Sequence, residues 1–314
     1  MLSRIANSLF WMGRYLERAE HTARYLNVHF YMALDAQSSF RKELLADSLY
    51  YMTGISKGSR LAKKTTSLSL FDFMALDIAN PVSIKNSVMI SRENARGTRD
   101  VLSTELWEAI NSYYHEVNAY KSARLTESDL FSFTEMVTRN SLMVNGYMDH
   151  TLVHDEIWSL IHLGVHLERA NQISRILLAK LRDIEISKKM EVAGSFETFH
   201  CVALLRSTEA FDMSRLIYNT FPNVTNCLDF LVLNRDFPKS VAFNLLKTKE
   251  CFFKVFREDD RDKESFEFEL GRVCSDYYYL TLDEIKNDTM HFLATTTETI
   301  NQLCAKLEKK YLTY

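Results

Sequence analysis

Acidic and basic side chains recur at helical spacing in two similar stretches of the sequence, one near the start and one in the middle. The first stretch carries Glu17 and Arg24, and the second carries Glu168 and Arg175. A carboxylate can act as a general acid or base where burial or a neighbouring charge shifts its pKa. A guanidinium group binds anionic or amide oxygens through directed hydrogen bonds. These stretches are therefore the strongest candidates for chemistry, either acid–base catalysis by the glutamates or binding of an anionic or amide-bearing ligand.

The same charges also have a purely structural interpretation. Glu17 and Arg24 lie about 10 Å apart along a helix, which is too far for a direct pair. Glu20 does stand at i,i+4 spacing from Arg24 and can pair with it. If the two stretches pack around a pseudo-twofold axis, Glu17 meets Arg175 and Glu168 meets Arg24. The charges would then hold the two stretches together.

Glutamate and arginine occur together in two further segments, ISRENAR and LLRSTEAFDMSR. Such residues often keep a helix surface soluble, and they can also form partly buried ion networks. Of the whole set, Glu17 and Glu168 are the candidates for catalysis. The candidate ligand- or partner-binding residues are Glu17, Arg18, Glu20, Arg24, Glu93, Arg96, Glu168, Arg169, Arg175, Arg206 and Glu209.

Histidines cluster in the second stretch, where His162 and His166 have i,i+4 spacing. A metal site needs carboxylate or thiolate ligands in a fixed geometry beside them. The corresponding positions of the first stretch are Trp11 and Tyr15, which are not metal ligands. We interpret these histidines as packing or surface residues and predict neither a metal site nor a cofactor.

The two stretches, SLFWMGRYLERAEHTARYL and SLIHLGVHLERANQISRIL, align at an offset of 151 with 9 identities in 19 positions. Ordinary composition would give roughly one identity. Gly13 and Gly164 are among the shared residues. A glycine inside a helix costs about 1 kcal/mol relative to alanine. Its presence in both stretches predicts that another helix or a ligand comes close there.

A second pair of segments, DFMALDIANPVSI and DFLVLNRDFPKSV, aligns at an offset of 157. Pro81 and Pro238 are expected to end the preceding helix, and Ser83 and Ser240 to cap the next one. Two aligned blocks in the same order indicate tandem duplication of a unit of about 150 residues. We predict an all-α, multi-helix bundle of two divergent repeats, 1–150 and 151–314, packed as one compact domain.

The composition supports helices and excludes several classes of function. The chain of 314 residues has only 8 Gly and 3 Pro, which is typical of long uninterrupted elements. A net charge of −3 gives no basic face for nucleic acid. Five cysteines without a CxxC pair indicate reduced thiols. With no signal-peptide pattern and no long apolar run, we expect a cytoplasmic protein without a membrane span.

Helical segments are expected at about 3–34, 40–51, 131–145, 150–181, 195–218 and 283–311. An amphipathic segment, 87–117, has a break near 102–104. Two charged segments stand between the predicted helices. Thr53–Ser67 carries basic residues and no acid, and Glu258–Glu269 is rich in acidic residues. A solvated loop is the simple interpretation of the first, and an anion-binding loop is the alternative.

The opening MLSRIANSLFWMGRYLERAEHTARYL, the segment HLERANQISRIL and the two DFxxL…PxS corners resemble the alpha-E family of bacterial helical proteins. The resemblance runs along nearly the whole chain. It implies a cytosolic bacterial protein that works beside a circularly permuted ATP-grasp ligase and often a transglutaminase-like protein. Those partners imply peptide modification or amide-bond formation. The signature residues of the family would be Glu17, Arg18, Arg24, Glu93, Arg96, Glu168 and Arg169.

From these observations we expect a non-catalytic accessory protein that binds the ligase or its peptide substrate through a groove lined by glutamate and arginine. The first alternative is an enzyme in which Glu17 and Glu168 perform acid–base chemistry. The second is a purely structural helical module. The deciding observation is whether the two glutamates line an open cleft or are fully paired with arginines.

Overall fold

The computed structural model describes residues 3–34, 47–54, 67–120, 127–189, 196–256 and 262–313. All regular secondary structure in these residues is helical. This confirms the all-α class. None of the helices in these ranges is both long enough and apolar enough to cross a lipid bilayer. The α-helices are α1 (Ser3–Leu34), α2 (Ser67–Ala75), α3 (Ile84–Gly97), α4 (Thr104–Ala119), α5 (Glu127–Thr151), α6 (Glu156–Lys189), α7 (Phe196–Ser207), α8 (Phe211–Tyr218), α9 (Val224–Leu228), α10 (Val241–Phe256), α11 (Phe266–Tyr279), α12 (Leu282–Asn287) and α13 (Thr289–Leu307).

Shorter helical pieces complete the description. Residues 47–53 form a further helical segment between α1 and α2. Arg99–Val101 is a turn of 3-10 helix between α3 and α4. Asp229–Leu233 and Glu308–Leu312 are π-helical extensions of α9 and α13.

Two long helices, α1 and α6, pack against each other at the centre of the molecule. Leu9, Leu16 and Leu26 give α1 one buried apolar face, as its 3.6-residue periodicity predicts. α6 is buried on nearly all sides because α7, α10 and α13 also pack against it. One contiguous hydrophobic core surrounds the contact between these two helices.

The helices that flank α1 and α6 are arranged alike. α3 and α5 pack against α1, while α10 and α13 pack against α6. α4 contacts both α3 and α5, and α11 contacts both α10 and α13. Each central helix is therefore accompanied by a set of flanking helices in the same order along the chain.

Two glycines let the backbones of α1 and α6 touch. A Cβ atom on Gly13 would overlap the carbonyl oxygen of Ile161, and one on Gly164 would overlap the carbonyl oxygen of Phe10. A side-chain rotation could not relieve either overlap, because the colliding atoms belong to backbone. The expected close approach at both glycines is thus confirmed, and the approaching element is the other central helix. We call this contact the seam.

The two proline corners start the helices that follow them. The hydroxyl of Ser83 accepts a hydrogen bond from the Asn86 amide (3.2 Å), and that of Ser240 accepts one from the Phe243 amide (3.1 Å). The predicted caps are therefore confirmed. The prolines do not end the preceding helices directly, because α2 stops at Ala75 and the π-helical turn after α9 stops at Leu233.

Some predicted segments differ from the structure or lie outside its described part. The predicted helix 195–218 is divided into α7 and α8, because Glu209 has a φ of 54°, which a right-handed helix cannot contain. The predicted helix 283–311 is divided at Asp288, whose carboxylate caps α13 at the His291 amide (3.1 Å). Of the charged segments, residues 55–66 and 257–261 lie outside the described residues, as do residues 40–46 of another predicted helix.

Candidate functional site

The two glutamates shared by the repeated stretches, Glu17 and Glu168, lie buried at the seam and bind arginine across it. Arg169 donates to both carboxylate oxygens of Glu17, at 2.5 and 2.8 Å. Arg18 donates to both oxygens of Glu168, at 2.7 and 3.0 Å. Each helix therefore contributes one glutamate and one arginine to a reciprocal pair of two-point ion pairs.

This pairing corrects the expectation that Glu17 would meet Arg175 and that Glu168 would meet Arg24. The helices touch at Gly13 and Gly164, so only residues about one turn beyond that contact are close enough to pair. Arg24 stands about three turns beyond it, roughly 16 Å along the helix. Each glutamate pairs instead with the arginine that directly follows the other glutamate in sequence.

Each buried glutamate also receives further hydrogen bonds. Nε2 of His21 lies 2.9 Å from Glu17. Gln172 donates to Glu168 at 2.8 Å, and Nε of Arg14 does so at the same distance. Both carboxylates are thus buried and fully paired with arginine and its neighbours.

The environment keeps both carboxylates ionised. Burial by itself would raise the pKa of Glu17, but the Arg169 charge and the hydrogen bonds from His21 and Arg169 hold that pKa well below its ordinary value. Burial likewise opposes the charge of Glu168, and Arg18, Arg14 and Gln172 together lower its pKa. A general acid at neutral pH needs a raised pKa, so this environment disfavours proton donation by either glutamate.

Beyond the seam, charges on the Glu17 side are balanced. Glu20 binds Nε of Arg24 (3.0 Å) and Nζ of Lys239 (2.9 Å). Glu209 reaches the same two groups, at 2.5 Å from Arg24 and 2.6 Å from Lys239. Together with the Glu17–Arg169 pair, this gives three carboxylates against three cations, and we call this set the balanced network.

Charges on the Glu168 side are not balanced. Arg14, Arg18 and Arg175 line one cavity of about 230 Å³, and Glu168 is the one carboxylate among the described residues of its lining. Three guanidinium groups against one carboxylate leave two positive charges. We call this cavity the arginine pocket.

Arg175 is the cation of the arginine pocket that lacks a counter-ion. Its Nη1 donates to the Thr53 carbonyl oxygen at 3.3 Å. No carboxylate in the described part of the chain lies within salt-bridge distance of it. Burial lowers the pKa of Arg175, although Glu168 opposes this and the charges of Arg18 and Arg14 add to it. A guanidinium group nevertheless stays charged at any physiological pH.

Hydrogen-bond acceptors stand beside these donors in the arginine pocket. Oδ1 of Asn171 and Oε1 of Gln172 are buried and have no hydrogen-bond partner. Nδ2 of Asn171 donates to Asn301 at 3.3 Å. Buried polar atoms without a partner are uncommon in folded proteins, so these two oxygens are unsatisfied hydrogen-bond acceptors within residues of the pocket lining.

The remaining predicted residues do not join the seam. Arg96 binds its neighbour Glu93 at 2.5 Å on the exposed surface of α3. The exposed Arg206 lies over the ring of Phe211, with 5.3 Å from its guanidinium carbon to the ring centre. Glu209 is the member of that segment which does reach the Glu17 side.

Sequence reasoning missed two cations of these networks. Arg14 has Val165 at its aligned position, and Lys239 has Val82, so a search for shared residues passes over both. The signal that could have found them is the break in the repeat itself. A charged residue that is present in only one copy can take a role that the other copy lacks.

The histidines of α6 pack against aromatic neighbours. The rings of His162 and Trp158 are stacked with centres 3.8 Å apart. His166 pairs through Nδ1 with Asn244 (2.8 Å), and burial, followed by the charge of Arg169, lowers its pKa to about 3. Both histidines line a second cavity of about 390 Å³. No cluster of three or more metal-ligating side chains occurs among the described residues.

Comparison with known proteins finds relatives that are themselves uncharacterised. Uncharacterised proteins of Mycobacterium bovis and of one strain of Mycobacterium tuberculosis are each 27% identical over 198 residues, which is 58% of this chain. One from another Mycobacterium tuberculosis strain is 26% identical over the same length. The chain covers only 22% of the length of each relative. No solved structure matches it.

A protein-family comparison covers the whole molecule. The family in question is described as a predicted alpha-helical domain with a conserved ER motif, and it matches residues 1–312. The dipeptide Glu-Arg occurs twice in this chain, as Glu17-Arg18 and Glu168-Arg169. These are the four residues that exchange ion pairs across the seam. The chain belongs to the Alpha-E family.

Proposed function

We propose that this protein is a non-catalytic accessory protein that binds an anionic, amide-bearing ligand in the arginine pocket. The observation that carries this proposal is the excess of two positive charges around a cavity of about 230 Å³. A buried charge without a counter-ion is unfavourable, and a bound anion relieves it. The balanced network does not favour anion binding in this way, because its cations are already paired with carboxylates.

The acceptors in the pocket favour a ligand with N–H groups. Asn171 and Gln172, whose amide oxygens have no hydrogen-bond partner, line the same cavity as Arg175. A peptide offers both an anionic group and amide N–H donors, and it matches this arrangement better than an inorganic anion does. Peptide substrate, or a peptide segment of a partner, is therefore the ligand that we propose.

The resemblance of the sequence to its family extends the proposal to partners. We infer that the protein acts in the bacterial cytoplasm beside a circularly permuted ATP-grasp ligase, and together with a transglutaminase-like protein in some systems, in peptide modification or amide-bond formation. Co-purification of this chain with the neighbouring ligase tests the partner, with and without ATP. Failure to form a complex under both conditions would count against it.

We further propose that the fold arose by tandem duplication, with repeats of about 150 residues at 1–150 and 151–314. The aligned stretches supply α1 and α6, and the aligned proline corners lead into α3 and α10. The matching order of flanking helices and the reciprocal ion pairs at the seam support the same proposal. Duplication followed by divergence explains why one side is neutral and the other is cationic.

Two other functions have less support. Catalysis by Glu17 or Glu168 is disfavoured by their full burial and by their lowered pKa values. A purely structural module agrees with the balanced network, whose charges are all paired. A purely structural role does not explain why Arg175, beside a cavity, has no counter-ion among the described residues. We therefore favour ligand binding.

Binding is tested by isothermal titration with N-acetylated tripeptides that carry a free C-terminal carboxylate. We expect Arg175→Ala to weaken binding at least tenfold, which corresponds to about 1.4 kcal/mol. Arg96→Ala is the matched control, since Arg96 is an exposed arginine far from the pocket lining. Equal affinities of the two variants would contradict the proposed site.

A further inference from the structure

The segment 47–54 and helix α7 end with the same pattern of hydrogen bonds. Thr53 donates its hydroxyl to the carbonyls of Leu49 and Tyr50, and Thr208 donates to the corresponding carbonyls four and three residues before it. The amide of the next residue bonds to the carbonyl three residues back in both cases, at 3.2 Å. That next residue is Gly54 in one segment and Glu209 in the other.

Gly54 and Glu209 share a backbone conformation that is uncommon for a residue with a side chain. Their φ angles are 74° and 54°, both in the left-handed region. Glycine adopts this region without steric penalty, whereas glutamate does so at some energetic cost. At position 209 the carboxylate compensates, because it bridges Arg24 and Lys239.

The surroundings of these two residues correspond position by position. Glu209 faces Arg24, and Gly54 faces Arg175, which is the residue aligned with Arg24. A Cβ atom on Gly54 would lie 3.4 Å from Nη1 of Arg175, in ordinary contact. Asn171 stands where the other stretch has Glu20. The first side therefore has two carboxylates on its arginine, and the second side has none among the residues that the structure describes.

We infer that the anionic group of the ligand is a carboxylate, and that it binds Arg175 as the carboxylate of Glu209 binds Arg24. In this arrangement the protein supplies its own carboxylate to one arginine and takes the other from the ligand. Gly54 has no side chain that could reach Arg175, and Asn171 is uncharged where the other stretch has Glu20. Arg175 therefore keeps a positive charge that a ligand carboxylate can neutralise. The inference rests on the proposed function, since it names the chemical group that the arginine pocket recognises.

The chemistry of the pocket agrees with a carboxylate. A planar carboxylate matches the fork of a guanidinium group, and the two-point pairs of Glu17 with Arg169 and of Glu168 with Arg18 demonstrate that fit within this chain. The volume of about 230 Å³ is enough for a terminal carboxylate with one or two adjoining residues. A peptide C-terminus also brings the amide N–H that the oxygens of Asn171 and Gln172 can accept.

The first test builds the missing carboxylate into the protein and needs no ligand. Gly54→Glu should place a carboxylate on Arg175, while Gly54→Gln has the same size and the same backbone strain without the charge. We expect Gly54→Glu to melt at least about 2 °C above Gly54→Gln. The difference should vanish when both are combined with Arg175→Ala. Equal melting temperatures of Gly54→Glu and Gly54→Gln in the protein that retains Arg175 would overturn the inference.

The second test removes the internal carboxylate. Glu209→Gly should leave a cavity beside Arg24 and Lys239 that resembles the arginine pocket. We expect sodium acetate to raise the melting temperature of this variant more than that of Glu209→Gln or the wild type. Sodium chloride at the same concentration controls for ionic strength. If acetate raises the melting temperatures of all three proteins equally, the position of the Glu209 carboxylate does not accept a free carboxylate, and the inference is contradicted.

The third test separates this inference from the proposed function. Wild-type protein is titrated with one N-acetylated tripeptide as the C-terminal acid, as the C-terminal amide, and as the amide with an internal phosphoserine or glutamate. We expect the acid or the glutamate peptide to bind, and Gly54→Glu to reduce that affinity at least tenfold while Gly54→Gln retains most of it. Preference for the phosphoserine peptide would overturn the carboxylate but keep the proposed function. No binding of any peptide would contradict the proposed function, while the first two tests still decide whether Glu209 and Gly54 are counterparts.

Discussion

At the scale of single residues, Glu168 has the greatest concentration of charged partners at the seam. Its side chain is fully buried, and Arg14 and Arg18 are both largely buried around it. Removing its charge while keeping its shape would leave two guanidinium groups inside the protein with no counter-ion. Breaking a buried ion pair in this way costs about 3–5 kcal/mol. We expect Glu168→Gln to lower the free energy of unfolding by about 3 kcal/mol, as measured by urea denaturation.

Glu93→Gln is the control for that measurement. Glu93 pairs with Arg92 and Arg96 at 2.5 Å, but these contacts are on an exposed helix surface. Exposed ion pairs contribute at most about 1 kcal/mol. A loss in Glu93→Gln as large as that in Glu168→Gln would mean that burial does not set the strength of the seam.

Residue types and the local pair of Glu20 with Arg24 could be predicted from the sequence here, but the partners across the seam could not. The repeat identifies Glu17 and Glu168 as equivalent, and its broken positions include Asn171 opposite Glu20. Which arginine meets which glutamate depends on where the two helices touch. The shortage of carboxylates around Arg175 becomes visible only once Glu209 is seen to reach Arg24 from another helix.

At the scale of helices, the seam depends on the absence of two side chains. Gly13 and Gly164 each contact backbone of the opposite helix, so a methyl group at either position must push α1 and α6 apart. Separation would also lengthen the ion pairs of Glu17 and Glu168. We expect Gly13→Ala and Gly164→Ala each to destabilise the fold by at least about 2 kcal/mol, even though alanine has the higher helix propensity. Thermal and urea unfolding measure this.

Gly146→Ala is the matched control for the glycine variants. Gly146 lies inside α5, and a Cβ atom there would meet no atom within 4 Å. Helix propensity then acts alone, and we expect a gain of about 0.5–1 kcal/mol. Stabilisation in Gly13→Ala as well would show that the helices can separate freely and that the close contact is dispensable.

Helix positions followed from the sequence more closely than helix ends did. Amphipathic periodicity identified α1, and the serine caps marked the starts of α3 and α10. The break at Glu209 could not be predicted, because no local signal indicates that a glutamate will adopt a positive φ. That conformation is maintained by its partners Arg24 and Lys239, which come from distant parts of the chain. Tertiary contacts thus override local preference where the balanced network is built.

At the scale of the whole molecule, the interior contains neutral histidines. His29, His166 and His200 are all buried. Burial lowers the pKa of His29 well below its usual value, and the nearby charge of Lys180 adds to the effect. Burial and a neighbouring cation, Arg169 for His166 and Lys180 for His200, lower the pKa of each to about 3. In the unfolded chain each would titrate near 6.5.

These histidines make the fold sensitive to mild acid. Between pH 6.5 and about 3 the unfolded chain binds protons that the folded protein refuses, so stability is full above pH 6.5 and is lost as the pH falls. Asp183, whose pKa is raised by burial, acts in the opposite direction but is one group against three. The seam carboxylates have lowered pKa values, so their loss begins only below about 4.5. We expect about 4 kcal/mol to be lost between pH 7 and 5.5, as measured by urea denaturation.

His200→Gln isolates one third of this effect, since glutamine keeps a polar side chain that cannot be protonated. The slope of unfolding free energy against pH should fall by about one third between pH 6 and 5, because each histidine contributes up to about 1.4 kcal/mol per pH unit. His291→Gln is the control, because His291 is exposed on α13 and should leave the slope unchanged. An unaltered slope in His200→Gln would mean that His200 takes up a proton inside the folded protein. Acid sensitivity between pH 6 and 5 would then have to come from His29 and His166, whose pKa values are also lowered.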